Sequence, residues 1–172
     1  QLKKRLTNDK ASLVLFSSYW QMNLVAKTLR DKHSFSLLVQ GEASRNALLT
    51  LHKDKCDNNL PSILFGTSSF SEGLDLPGNY LTNLIITKLP FAVPNSPIEQ
   101  AHSEYIKTKN GNPFLVLTIP DASRKLIQSC GRLLRNEKDT GTITILDRRL
   151  VTKRYGKSLI DSLPPYKLTI EY

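Results

Sequence analysis

Ser12-Leu13-Val14-Leu15-Phe16-Ser17 decides the fold. It is a short apolar run closed by small polar residues, which is the pattern of a strand buried on both faces of a parallel sheet. The period then changes. Met22, Val25, Ala26 and Leu29 recur at i, i+3, i+4 and i+7, the stripe of a helix packed along a sheet. The two together make a strand-helix unit, and the chain goes on in the same way. Ser36 to Val39 reads as the next strand, and Ser44 caps a helix whose Ala47, Leu48, Leu51 and Cys56 are expected to face inward. Ile63 to Gly66, Leu84 to Thr87 and Thr142 to Leu146 supply further buried strands.

Between the fourth and the last of these strands, Pro90, Pro94 and Pro97 impose an extended loop, because proline fixes its own φ and restricts the residue before it. A helix is expected from Pro97 to Lys109, with proline suited to its first turn. After a break at Gly111 to Pro113, Asp121 or Ser123 opens another helix, reaching Arg135. The tail, Leu163 to Tyr172, reads either as an edge strand or as a segment draped over the surface. Strands alternating with helices specify an α/β fold whose mainly parallel sheet carries helices on both faces. No internal repeat interrupts this order.

At 172 residues, 40% hydrophobic and 23% charged, the chain is expected to be a single folded domain, and the composition excludes a disordered tail. Lys and Arg number 24 against 15 Asp and Glu, a formal charge of +9. Such a surface attracts polyanions, so nucleic acid or a nucleotide is the first partner to consider, although basic proteins that never meet phosphate also exist. Cys56 and Cys130 lie far apart in helical runs, without the spacing of a disulfide framework or a metal site. A reducing compartment suits them. No apolar run approaches the ~20 residues that span a bilayer, and the basic start, Gln1 to Lys10, lacks the apolar stretch of a secretory signal. The absence of an initial Met suggests a fragment of a larger protein. His33, His52 and His102 share no spacing and read as surface or partly buried structural residues.

Two segments carry chemistry. In the first, Leu126, Ile127, Cys130, Leu133 and Leu134 recur at helical spacing and are expected to face the sheet, while Arg124, Gln128, Arg132 and Arg135 fall at i, i+4, i+8 and i+11 on the other side. Gly131 sits among them despite costing about 1 kcal/mol in a helix interior. One reading is a close approach by a polyphosphate, since guanidinium forks match phosphate. The other is a solvated basic face. The second segment is Phe65-Gly66-Thr67-Ser68-Ser69-Phe70-Ser71-Glu72-Gly73-Leu74-Asp75-Leu76-Pro77-Gly78, directly after a buried strand. Ligands of parallel α/β sheets gather beyond the carboxyl ends of the strands, and the small residues here let backbone N–H groups approach phosphate. Glu72 and Asp75 are open to acid/base or metal roles, to orienting hydroxyls or guanidinium groups, or to no role beyond an ordinary long turn. Phe70 reads as a core anchor or a base contact. Tyr19 and Trp20, at the carboxyl end of the first strand, are candidates for stacking.

Those segments resemble a known family. FGTSSFSEGLDLPG resembles motif V, and QSCGRLLR motif VI, of superfamily 2 helicases; LVLFSSYWQM (Leu13 to Met22) resembles motif IV, and VQGEASR around Gly41 the next phosphate-contacting segment. With KLPFAVPNSP (Lys88 to Pro97) and ILDRRLVTKRYGKSLIDSLPP, the combination resembles the DinG and XPD branch of DNA helicases, with the tail nearest bacterial DinG. The resemblance covers nearly the whole chain, residues 1–172.

It implies a RecA-like domain of the P-loop NTPase fold, the second motor domain of an ATP-dependent DNA helicase. Arg132 and Arg135 would face the γ-phosphate, with Gln128 helping to bind or sense it. Glu72, Gly73, Asp75 and Gly131 would belong to the nucleotide side, Asp75 through the ribose. Ser17, Ser18, Gly41, Thr67 and Ser68 would meet the phosphates of single-stranded or forked DNA. The domain lacks its own Walker A: in the only GKS, Gly156-Lys157-Ser158, Val151 stands where the first glycine belongs. ATP and Mg2+ would be held mainly by a first motor domain of the same polypeptide, and a 4Fe-4S cluster, which needs four cysteine ligands, would also lie there. The resemblance further implies a monomer in the bacterial cytoplasm, no metal site in this chain, and no ATP hydrolysis by this part alone. The competing reading is a helicase-like module that binds nucleic acid or a partner without turnover.

Overall fold

The computed structural model describes residues 2–6, 11–32, 36–92, 96–134 and 139–171. The chain forms two compact units, one of Gln1–Leu89 with Ser129–Asp147 and one of Pro90–Gln128 with Arg148–Tyr172.

The first unit is built on a five-stranded sheet: β1 (Ala11–Phe16), β2 (Leu37–Val39), β3 (Ser62–Thr67), β4 (Asn83–Ile86) and β5 (Thr142–Ile145), in the order β2-β3-β1-β4-β5. Every neighbouring pair is parallel, and Leu13 of β1 is level with Leu64 and Leu84 on either side. All residues of β1, β3 and β4 are buried, as unbroken apolar runs require. At the edge, β5 alternates Thr and Ile and is only half-buried.

Side-chain parity assigns the covering helices. Val14, Phe16, Ile63, Phe65 and Ile85 share one face, where they pack with Met22, Ala26 and Leu29 of α2 (Tyr19–Lys32). On that face the ring centroids of Phe16 and Phe65 lie 4.9 Å apart. Leu6, just past α1 (Leu2–Arg5), closes the cluster, and the Arg5 carbonyl accepts from buried Asn83, whose amide also donates to Ser12 Oγ at 3.0 Å. Ser62, Leu64 and Gly66 point to the other face. There α3 (Arg45–Asp57) places His52 on Ser62, and α4 (Ser68–Ser71) places Phe70 on Gly66. A Cβ at Gly66 would lie 2.5 Å from that ring, so glycine is what lets Phe70 lie flat on the strand.

The helix capped by Ser44 forms as its sequence predicts, with the serine hydroxyl accepting from the Ala47 N–H at 3.3 Å. Its inward residues differ from the expectation. Leu48 and His52, one turn apart, are buried, whereas Ala47 and Leu51 are exposed and Cys56 is half-buried. His52 can occupy the core because both ring nitrogens are bonded, Nδ1 to Ser62 Oγ and Nε2 to the Tyr80 carbonyl, each at 2.7 Å. The histidine is structural as expected, but fully buried. His102 is exposed, and His33 lies outside the described residues.

Burial, reinforced by Lys53 and Lys55, holds the His52 proton affinity below its ordinary value. The unfolded chain therefore takes up a proton that the folded chain resists, so stability falls as pH drops through the ordinary histidine range. Each tenfold of depressed affinity is worth about 1.4 kcal/mol. Thermal melts at pH 7.5 and 5.5 should show this loss, and His52→Asn should shrink the difference between the two pH values. An unchanged difference would remove His52 as its source.

The second unit is helical. α5 (Pro97–Thr108) begins with a reciprocal cap in which Glu99 N–H donates to Ser96 Oγ and Ser96 N–H to the Glu99 carboxylate, with Pro97 in the first turn. A π-helical stretch, Phe114–Thr118, leads into α6 (Ile119–Cys130). After β5 come α7 (Arg149–Thr152) and α8 (Arg154–Asp161). Phe91, Phe114 and Tyr155 form a triangle of rings with centroids 5.2 to 5.6 Å apart, and the Arg149 guanidinium lies 5.0 Å from the Phe91 ring centroid. The Gly156-Lys157-Ser158 sequence lies inside α8. The tail, residues 163–171, joins no strand, and Pro94 lies outside the described residues.

Two expectations for α6 are corrected. It opens at Ile119, directly out of the π-helical stretch, and it ends at Cys130 rather than reaching Arg135. Gly131 has little preference for the helix, and beyond it Arg132 and Leu133 donate to the carbonyls three residues back, a tight turn. The long stripe of arginines is therefore not sustained. Arg124 instead pairs with Asp121 at 3.3 Å. Leu126, Cys130 and Leu133 are buried as expected, but Ile127 is 38% exposed and Leu134 half-buried. Among the described residues no helix is long and apolar enough to cross a membrane.

Candidate functional site

From β1 the chain moves to β2 on one side, and from β3 it crosses to β4 on the other. Loops part around such a switch in direction, leaving room for a ligand at the carboxyl ends of the strands. Ser17 and Ser18 follow β1, Gly41 follows β2, and Thr67 and Ser68 lie at the end of β3. Because β2, β3 and β1 are adjacent, these five residues of three sequence segments line one edge of the sheet. Ser17, Ser18, Gly41 and Ser68 are exposed. Ser18 caps α2, accepting from the Gln21 N–H at 3.3 Å. Gly41 has φ +96°, a conformation that glycine adopts at no steric cost, and the space where a Cβ would stand is open.

Gln40, which the sequence reading did not single out, organises this edge. Its Oε1 accepts from the Thr67 N–H at 2.8 Å and the Thr67 hydroxyl at 3.0 Å, and its Nε2 donates to the Tyr19 hydroxyl. Ser69 Oγ lies 3.0 Å from Thr67 Oγ1. One side chain thus fixes the ends of β2, β3 and α2 together. Gln21 Oε1 is buried without a hydrogen-bond partner among the described residues.

The loop after β3 is set by alternation. Phe70, Ser71, Leu74 and Leu76 are buried, and Glu72, Gly73 and Asp75 between them are exposed. Arg45, at the start of α3, donates to the Glu72 carbonyl, while its guanidinium lies 5.7 Å from the Phe70 ring centroid. Gly73, at φ +68°, passes beneath that guanidinium. Phe70 is thus a core anchor. Arg45 was visible only as the last residue of VQGEASR, where nothing marks a side chain that reaches back to another loop.

Gln128 is exposed in the last turn of α6, Gly131 is exposed just beyond it, and Arg132 is half-buried in the turn that follows. Arg135 lies outside the described residues. Cys56 and Cys130 are both free thiols, and burial pushes the Cys130 thiol up to about 11, so it stays protonated and unreactive near neutral pH. Among the described residues no three His, Cys, Asp or Glu side chains are grouped so as to hold a metal ion.

The five-stranded parallel sheet with helices on both faces has the RecA-like fold. The solved structures most like it in fold include apo XPD, with a TM-score of 0.70 at 20% identity over 93% of this chain and 32% of that one. Domain 2 of the DEAD-box helicase Mss116p bound to an RNA duplex gives 0.52 at 15% identity, covering 94% of this chain and 50% of that one. The chain belongs to the helicase C-terminal domain family, which matches residues 4–166, and within it to the DinG/XPD type. It is 61% identical over 174 aligned residues to the ATP-dependent DNA helicase DinG of Photobacterium profundum, covering 99% of this chain and 25% of that protein. The DinG helicase of Escherichia coli (strain K12) is 41% identical over 156 residues, which cover 91% of this chain and 22% of that protein. The chain thus spans about a quarter of the length of these relatives.

Proposed function

We propose that this chain is the second motor domain of an ATP-dependent DNA helicase, binding single-stranded DNA at the carboxyl edge of its sheet and lending arginine to an ATP site shared with a first motor domain of the same polypeptide. The observation that carries the reading is the row of small and hydroxylated residues, Ser17, Ser18, Gly41, Thr67 and Ser68, brought to one end of the sheet by strand order, with Thr67 held by Gln40. Small side chains let a phosphate approach the backbone N–H groups, and the net charge of +9 favours a polyanion. The relatives named as ATP-dependent DNA helicases favour a motor over a binding module without turnover.

ATP supplies the energy of the cycle, with magnesium to neutralise its phosphates. This chain contributes groups around them. Arg132 is assigned to the γ-phosphate by its match to motif VI, and it lies in a turn beside exposed Gly131. A guanidinium there stabilises charge that builds up in phosphoryl transfer. Arg135 and Gln128 are assigned to the nucleotide as well, by their match to the same motif. Asp75 is held outward by buried Leu74 and Leu76 and is assigned to the ribose, and Glu72 and Gly73 complete the nucleotide side. DNA bound at Thr67 and nucleotide bound a few residues later are thereby connected through a single loop.

Titration of this chain with oligo(dT) tests the DNA assignment. Binding is expected to be weak, indifferent to base sequence and strongly dependent on salt, because phosphate contacts release counterions: affinity falls by roughly 0.7 powers of salt for each contact on a single strand. Tight binding that ignores salt would move the assignment from a translocation groove to a base-reading module.

A further inference from the structure

Trp20 is 74% exposed, although it sits in the first turn of a helix that packs its other side into the core. On α2, residues 20, 23, 27 and 31 fall at i, i+3, i+7 and i+11 and make one stripe. Asn23, Lys27 and Asp31 of that stripe line a groove of about 480 Å3 between α2 and the turn after β2, whose other wall is Gln40, Gly41 and Glu42. Trp20 itself does not line the groove; it begins the same stripe one turn before Asn23, two residues from Ser18 and the proposed phosphate-contacting edge.

The lining indicates what would enter. Glu42 is neutralised by Arg30, whose guanidinium grips its two oxygens at 2.5 and 2.8 Å, and that contact holds the carboxyl below its usual range. On the α2 side the Lys27 ammonium is accompanied by the Asp31 carboxylate, and Asn23 supplies an amide that both donates and accepts. Gly41, with no side chain and open space above it, leaves the entrance from the sheet edge clear. Tyr19 also lines the groove, and its hydroxyl is held by Gln40, the same residue that fixes Thr67. A planar group with a polar rim, joined to a phosphate lying on Ser17 or Thr67, matches these surfaces.

We infer that Trp20 binds a nucleobase of the single-stranded DNA by stacking on its face, beside the groove that Asn23 and Lys27 line. This rests on the DNA-binding reading above and adds base contact to a site assigned so far only to phosphates. Every base has a π-face, so the contact adds affinity without sequence preference.

Trp20 is the single tryptophan of the chain, so its emission reports the contact directly. The experiment compares oligo(dT) with an abasic deoxyribose-phosphate strand of equal length, at low salt, on wild type, Trp20→Ala and Trp20→Phe. Oligo(dT) should quench Trp20 and bind more tightly than the abasic strand. Trp20→Ala should lower oligo(dT) affinity about tenfold, in keeping with stacking worth ~1–3 kcal/mol per base, and leave abasic affinity unchanged, while Trp20→Phe should retain most of it. Wild type that binds both strands equally, without quenching, overturns the base site but spares the DNA assignment. Wild type that binds neither strand overturns both. Equal losses for the two strands in Trp20→Ala would show a structural role and also overturn the base site.

Discussion

In the full-length protein, Arg132→Ala should lower the kcat of DNA-stimulated ATP hydrolysis by about 10³ to 10⁵, the range over which arginine fingers act, while leaving single-stranded DNA affinity within a few-fold of wild type. The size of the effect follows from timing. A guanidinium that meets charge developing on the transferring phosphoryl group stabilises the transition state more than bound ATP, so its loss appears in kcat. Arg132 suits this task because its main chain is fixed in the turn closing α6, between buried Cys130 and Leu133, while the residue itself is only half-buried. The anchoring also means that the substitution should leave melting temperature nearly unchanged. Single-turnover hydrolysis at saturating ATP and DNA is the measurement; turnover near wild type in the folded variant would remove Arg132 from the ATP site.

How much of this was legible in the sequence depended on the physical range of the signal. The strands β1, β3 and β4 were readable because burial on both faces demands continuous apolar residues, and the Ser44 and Pro97 helix starts because caps are local chemistry. The end of α6 was misplaced for a physical reason too: leucines and arginines at helical spacing continue past Gly131, and periodicity cannot register that the backbone has tightened into a turn at Arg132. His52 was assigned too near the surface because its burial depends on Ser62 and Tyr80, partners 10 and 28 residues away. The five residues proposed for DNA were individually visible as small polar groups after strands. Their alignment on one edge depends on the order β2-β3-β1, and the Gln40 clamp on a bond across 27 residues. Neither leaves a local pattern.

The loop after β3 bears the second large expectation. In the full-length protein, Glu72→Gln or Asp75→Asn should retain thermal stability and DNA affinity yet lose most of the stimulation of ATPase by DNA and most strand separation, a loss on the order of 5- to 150-fold if the link has the usual strength of coupling between two sites. Stability should survive because this loop has anchors that neither substitution touches: Phe70 against Gly66, buried Leu74 and Leu76, and the Glu72 carbonyl held by Arg45. Both substitutions keep the backbone and the side-chain volume, and both carboxylates lie at exposed positions. The coupling should fail because only four residues separate Thr67, tied to the DNA edge through Gln40, from Glu72, and a segment so firmly pinned at both ends passes a displacement of one end to the other. Removing a carboxylate charge leaves the lever in place and takes away its grip on the nucleotide side. ATPase assayed with and without single-stranded DNA, beside unwinding of a forked duplex, separates this from a passive turn: wild-type stimulation and unwinding in both variants would place the carboxylates outside the mechanism, and a lowered melting temperature would make them structural instead.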